Sequence, residues 1–311
     1  MLKKYKITLP DGQVIYSVQT EEPDISAEYK TTIMVDDQEY ECDGEYDESD
    51  VDVEEFDIEF DEVQYQARQA LKQALRGFTV TPFNIKHTIT FKTDVLKKAI
   101  EQNIDFISQS QTRYNIFGIH FNFQENDVDI VATNGHALSF ATIPNIYGFI
   151  GKFTIPLPVA YEILNYVNTN KDITDITLSL SEDLKQINFG EYNNFKLIEA
   201  EFPDYNCVIP EKFDLVAKIP KKEFNHFFEG FVSQEKVWLK LCNNTLLLGE
   251  DKIDCDFQGS VDIKLNSVYL ANAIKQIDGN EFLLKANDDK KAISIQEVGN
   301  ADKKYIIMQM N

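Results

Sequence analysis

From Ile85 to the C-terminus, short apolar-alternating runs and stretches of helical spacing follow one another in a repeating order. Residues 85–91 alternate with period two and predict a strand. Thr93 is placed to cap a helix with Leu96, Ile100, Ile104 and Ile107 on one face. Strand patterns follow at 114–123, 128–132 and 137–143. A second round begins with a strand at 153–155. Pro158 then opens a helix carrying Val159, Ile163 and Val167, and strands follow at 176–180, 186–189 and 195–199. A third round reads as strand 215–219, helix 221–231 and strands 238–241, 245–249 and 252–258. A fourth reads as strand 261–265, helix 267–277 and strands 282–286, 292–297 and 305–310. The order β-α-β-β-β thus recurs four times without close identity between copies. This predicts an α+β array of equivalent subdomains.

The first 85 residues do not follow that order. Residues 5–9 and 13–18 flank Pro10-Asp11-Gly12 and predict a hairpin; 31–35 and 39–42 predict another. Residues 56–61 put Phe56, Ile58 and Phe60 on one face of a strand and three carboxylates on the other. Residues 62–76 have helical spacing. The expected domains are a small acidic α+β unit at 1–85, a second at 86–208 and a third at 209–311, with 202–210 as the seam.

Charge separates the units further. Between Glu21 and Glu62 stand twenty acids and one base, a net −19 of the chain's −22. A solvated face with a partly disordered loop at 43–50 accounts for them, and a surface that imitates or repels DNA is the sharper alternative. Long-range attraction to nucleic acid is not expected of so acidic a chain, so any DNA contact needs a locally basic surface. No apolar run approaches the ~18 residues of a membrane span. The four cysteines form no C-x-x-C, as expected of a reduced cytoplasmic protein.

Candidate chemistry is sparse. The phosphate-cradling, nucleophile-elbow and H-E-x-x-H patterns are absent from the sequence, and the four histidines are scattered. His136 follows Asn134-Gly135, a turn signal, and reads as a groove residue and not as a catalyst. Asp251, Asp254 and Asp256 lie along a strand pattern where exposed acids are ordinary. No enzyme activity, cofactor or metal is expected.

Four segments in order carry a resemblance. Arg113-Tyr114-Asn115-Ile116-Phe117-Gly118-Ile119 resembles the R-Y-x-L-N-G segment of the bacterial DNA polymerase III beta sliding clamp. Residues 132–138, Ala-Thr-Asn-Gly-His-Ala-Leu, are similar to its A-T-D-G-H-R-L. Phe202-Pro203-Asp204-Tyr205 with Val208 and Pro210 resembles F-P-D-Y-x-x-V-x-P, and 305–310 resembles the terminal Y-V-V-M-P-M. The resemblance covers 86–311, the family's second and third domains.

It implies a DNA-clamp fold with sheets outside and helices lining a channel for duplex DNA, which is held without sequence readout. The lining bases would be Lys97, Lys98, Lys221, Lys222 and Lys275. It also implies a groove that captures short linear peptides of a DNA polymerase and a clamp loader. That groove would be built from Arg113, Ile116, Thr133, Gly135, His136, Leu138, Pro203, Val208, Ile306, Met308 and Met310.

Departures shape the rest. Ala137 and Cys207 stand where the family has basic residues, so restoring arginine at both is expected to tighten peptide binding. Gln309 stands in place of a proline, and the family's first domain is replaced by the short acidic unit. With two clamp domains per chain, a six-domain ring closes as a trimer, in preference to a dimer in which the acidic unit fills the vacant place. The divergence suggests a phage or mobile-element origin. The alternative to a polymerase-tethering clamp is a decoy or scaffold that binds clamp partners without encircling DNA.

Overall fold

The computed structural model describes residues 74–311 apart from 76, 80–82, 191–192, 211, 233, 258, 288–291 and 311, and, before them, the backbone of six strands between residues 3 and 56. The chain divides into two compact units, Met1–Gln73 and Ala74–Asn311.

In the first unit, β1 (Lys3–Thr8) pairs antiparallel with β2 (Val14–Gln19), as the first hairpin pattern requires. β4 (Lys30–Val35) pairs with β5 (Gln38–Tyr46), the second hairpin, and with β3 (Ile25–Ser26). β5 runs on through Asp43 to Tyr46, so the start of the expected acidic loop is strand. β6 (Asp52–Phe56) joins β1 antiparallel, in a register that sets Glu54 opposite Lys6. The rest of the alternating run, 57–61, and the helix expected over 62–76, except Ala74 and Leu75, lie outside the described residues.

The second unit contains the four expected repeats. The first is β7 (Ile85–Lys92), α1 (Thr93–Ile104), β8 (Gly118–Phe123), β9 (Asp127–Thr133) and β10 (Ala137–Pro144). The second is β11 (Gly151–Pro156), α2 (Leu157–Thr169), β12 (Asp175–Ser181), β13 (Gln186–Phe189) and β14 (Asn193–Lys196). The third is β15 (Leu215–Pro220), α3 (Lys221–Phe228), β16 (Lys236–Cys242), β17 (Thr245–Leu248) and β18 (Asp251–Asp254). The fourth is β19 (Ser260–Asn266), α4 (Ser267–Lys275), β20 (Glu281–Ala286), β21 (Ala292–Glu297) and β22 (Lys303–Met308).

First strands are exchanged between repeats. β7 pairs with β12 of the second repeat, and β11 pairs with β8 of the first. β15 and β19 exchange likewise, onto β20 and β16. Each pair of repeats is thereby locked together. β10 then pairs with β22, joining first and fourth repeats into one eight-stranded antiparallel sheet, β11-β8-β9-β10-β22-β21-β20-β15. Side chains on one face of the sheets pack with the helices into the principal core, among them Phe91, Leu96, Ile100, Phe121, Ile163, Phe224, Leu270 and Phe282. A smaller cluster of Ile116, Val131, Leu138, Phe140, Phe202, Tyr205 and Ile306 forms at the β10–β22 join.

Local details differ from the sequence pattern. Thr93 is the first helical residue; Lys92 at the cap position makes no capping bond and pairs instead with Asp175 at 2.8 Å, and the Thr93 hydroxyl is buried without a partner. The apolar run expected to start a strand at Tyr114 is a 3-10 turn, Gln111–Ile116, and the strand starts at Gly118. The strand expected over 195–199 lies at β14, and α3 ends at Phe228 in a 3-10 turn.

Gly118, opposite Pro156 in the β8–β11 register, leaves no room for a side chain. A Cβ there would lie 2.2 Å from the Ile155 carbonyl oxygen, which is backbone and cannot turn aside. Gly118→Ala is expected to cost about 1–3 kcal/mol by overpacking, read as a lower denaturation midpoint with an unchanged m-value.

Candidate functional site

The turn between β9 and β10 is built by Asn134. Its Oδ1 accepts the N–H groups of His136 and Ala137, each at 2.9 Å, while Thr133 Oγ1 donates to the Ala137 carbonyl at 2.8 Å. Gly135 follows with φ +89°, where a side chain is strained, and a Cβ would sit 2.9 Å from the Arg113 guanidinium. That guanidinium donates to the Asn134 carbonyl at 2.9 Å, so Arg113 braces the turn.

The linker from β14 to β15 is pinned beside this turn. Phe202 stacks on His120, ring centroids 4.6 Å apart and planes 7° from parallel. The Tyr205 hydroxyl donates to Asp129 Oδ2 at 2.8 Å, and Asn122 donates to that hydroxyl at 3.0 Å. Asp129, itself buried, also accepts from Gln124 and Thr142. Burial, with the Asp129 carboxylate opposing ionisation, pushes the Tyr205 phenol up to about 12. Asp204 closes the 3-10 turn Tyr205–Val208 by accepting the Asn206 N–H at 3.0 Å and the Cys207 thiol at 3.2 Å.

Between turn, linker and the β10–β22 join lies a cavity of about 460 Å³. Of the groove residues named from the sequence, Ile116, Thr133, Gly135, His136 and Leu138 line one wall, Pro203 and Val208 the linker side, and Ile306 and Met308 the β22 side. Arg113 stands behind the turn. Met310 is outside the lining and donates its N–H to the Lys264 carbonyl at 2.8 Å. Phe202, Tyr205, Asn287 and Ala292 also line the cavity and are not among the groove residues named from the sequence; Cys207, noted there as standing in place of a basic residue, lines it too. Phe202 and Tyr205 stood inside the quoted motif; nothing local marks Asn287 or Ala292. Ala137 is 2% exposed and belongs to the principal core as well as the cavity wall. An arginine there would have to bury its charge or fill the cavity, so restoration at 137 is expected to weaken binding. Only Cys207, which is exposed, can accept a basic residue.

Burial, then the nearby Lys152, lowers the His120 pKa to about 4. Its folded value thus lies below the usual 6.5 or so of an unfolded chain, so the unfolded state binds the extra proton. This stability is fully present above pH ~6.5 and is lost as pH falls towards 4. At pH 5 the loss from this one group is about 2 kcal/mol. Urea unfolding at pH 7 and pH 5 checks it: His120→Gln should show a smaller drop than the parent chain.

The lysines named for a channel lie on the helix side, and most are held by this chain. Lys98 pairs with Asp278 at 2.6 Å, Lys275 with Asp105 at 3.2 Å, and Lys97 donates to Asn168 at 2.7 Å. Lys221 donates to the Ile277 carbonyl. Lys222 is exposed and, among the described residues, makes no ion pair. α2 carries no basic residue. Also among the described residues, no cluster of His, Cys, Asp or Glu could hold a metal ion, and no helix is long and apolar enough to cross a membrane.

Residues 90–204 match the family model described as the DNA polymerase III beta subunit, central domain. The beta sliding clamp of Buchnera aphidicola subsp. Rhopalosiphum padi is 26% identical over 247 residues, 72% of this chain and 66% of the relative. Over about seven tenths of its length this chain is thus similar to beta sliding clamps. The beta sliding clamp of Pseudomonas putida is 23% identical over 241 residues, 72% of this chain and 65% of its own. The chain therefore spans just under two thirds of the length of these curated relatives. The fold is the clamp fold. The DNA polymerase III beta subunit of Thermotoga maritima superposes with a TM-score of 0.69 at 18% identity, covering 93% of this chain and 76% of that one. A putative beta subunit from Eubacterium rectale superposes at 0.68 and 15% identity, covering 100% of both chains. In this chain the join of β10 to β22 and the pinned linker frame the candidate groove.

Proposed function

We propose that the chain is a DNA sliding clamp, a non-catalytic processivity subunit that self-associates into a ring around duplex DNA. In this reading it tethers a DNA polymerase, and receives a clamp loader, through short linear peptides seated in the cavity beside the linker. The cavity carries the reading: it is concave and mostly apolar, and Met308, Leu138, Ile306 and Val208 offer adaptable contact to a peptide's aliphatic and aromatic side chains. The relatives' name, beta sliding clamp, supports the same reading. The domains are then 86–208 and 209–311, the ring is a trimer in preference to a dimer, and the protein works in the cytoplasm. DNA is held loosely, through Lys97, Lys98, Lys221, Lys222 and Lys275, without base readout.

The intrachain partners of four of those lysines favour a second reading, a scaffold that binds clamp-partner peptides and leaves DNA alone. Exposed pairs of this kind contribute little, so phosphates can displace them. Loading onto closed circular DNA with a clamp loader separates the two. A clamp stays on the circle and leaves when the DNA is cut; a scaffold is never retained.

A further inference from the structure

The sheet β18-β17-β16-β19 buries Val237, Leu239 and Leu241 against the core and turns its other face to solvent. In the middle of that open face stands Trp238, the chain's single tryptophan, 62% exposed. Strand alternation puts Lys236 and Lys240 on the same face, each about 7 Å along the strand from Trp238. Register puts Lys264 opposite Trp238, its ammonium 4.9 Å from the ring centroid. On the same face Lys240 is opposite Leu247, which is opposite Lys252. The acids of this face within the strands are Asp262, opposite Lys240, and Asp254 at the edge strand; Asp256, exposed just beyond β18, continues the same alternation. Lys236, Lys240 and Lys252 form no ion pair among the described residues. On a chain of net charge −22, this is a locally basic surface with an aromatic ring at its centre.

We propose that this face binds single-stranded nucleic acid. Trp238 supplies a stacking platform for one base, and Lys236, Lys240, Lys252 and Lys264 follow the phosphates on either side. The face is an open sheet, which suits splayed bases on an aromatic and gives a peptide no pockets for alternate side chains. The lysine–tryptophan–lysine spacing along β16 lets charge meet the backbone while the ring meets the base. The site is separate from the groove and from the helix side, and does not depend on either.

Because the tryptophan is single, its fluorescence reports this site alone. Titration of the full chain with a twenty-residue oligothymidine at 50 mM salt is expected to quench Trp238. The log–log salt slope should be about −2 to −3 for three or four lysines. Lys236→Glu/Lys240→Glu, both surface changes, should weaken binding tenfold or more. Trp238→Ala, followed with a labelled oligonucleotide, should weaken it about fivefold or more. Circular dichroism checks that both variants stay folded. No quenching at 50 mM salt overturns the proposal. So does equal quenching by blunt duplex of the same length, or stronger quenching by a polyglutamate peptide, which would make the face a dock for an acidic protein segment.

Discussion

Val208→Asp is expected to lower the affinity of an apolar clamp-partner peptide by at least about thirtyfold while leaving the fold intact. Val208 lines the cavity yet is 51% exposed, so the free protein solvates the new carboxylate without strain. A bound peptide would cover that carboxylate with aliphatic side chains, and burying an unpaired charge against an apolar ligand costs 2 kcal/mol or more. Fluorescence anisotropy with a labelled peptide carrying Leu and Phe anchors reads the change, and thermal melting checks the fold. Met308→Ala, on the opposite wall, should act in the same direction with a smaller loss. Equal affinities for all three proteins would remove the cavity from the peptide-binding account.

Phe202→Ala should be the most destabilising single change near the site. The ring is buried, stacks flat on His120 and packs with Tyr205 in the small cluster at the sheet join. Truncating a buried phenylalanine costs about 3–5 kcal/mol through lost burial and the cavity left behind. A second effect separates this change from generic damage. Phe202 helps keep His120 from water, so His120 should titrate closer to an ordinary imidazole in the variant. Histidine NMR across pH 3–8 reads that shift, and the variant's stability should depend less on pH between 5 and 7. A large stability loss with the His120 pKa unmoved would mean that the stack does not set the environment of this ring.

The repeated element order was legible because alternation and helical spacing are local. The turn at Asn134-Gly135 was legible for the same reason: positive φ at Gly135 and the side-chain acceptor of Asn134 are properties of the residues themselves. The exchange of β7 and β11 between sheets was not legible, since period-two patterns name a strand's faces and not its neighbours. β8 starts later than the apolar pattern implies because Tyr114 and Ile116 are apolar in a 3-10 turn just as they would be in a strand. The pinning network was invisible for a similar reason. His120 lies in an ordinary strand, and its partner Phe202 arrives 82 positions later. The lysines of the helix side could be counted from the sequence, but their occupation could not. Asp278, which holds Lys98, is 180 residues away, and Asp105, which holds Lys275, is 170 away.

Light scattering of the purified full chain over a wide concentration range tests the central claim most directly. A ring of self-associated chains predicts a mass of three times 35.8 kDa that persists on dilution, and a stable twofold mass would mean that the N-terminal unit counts as a ring segment. A stable monomer at every concentration would contradict the closed clamp and leave the peptide-binding scaffold as the account of this chain.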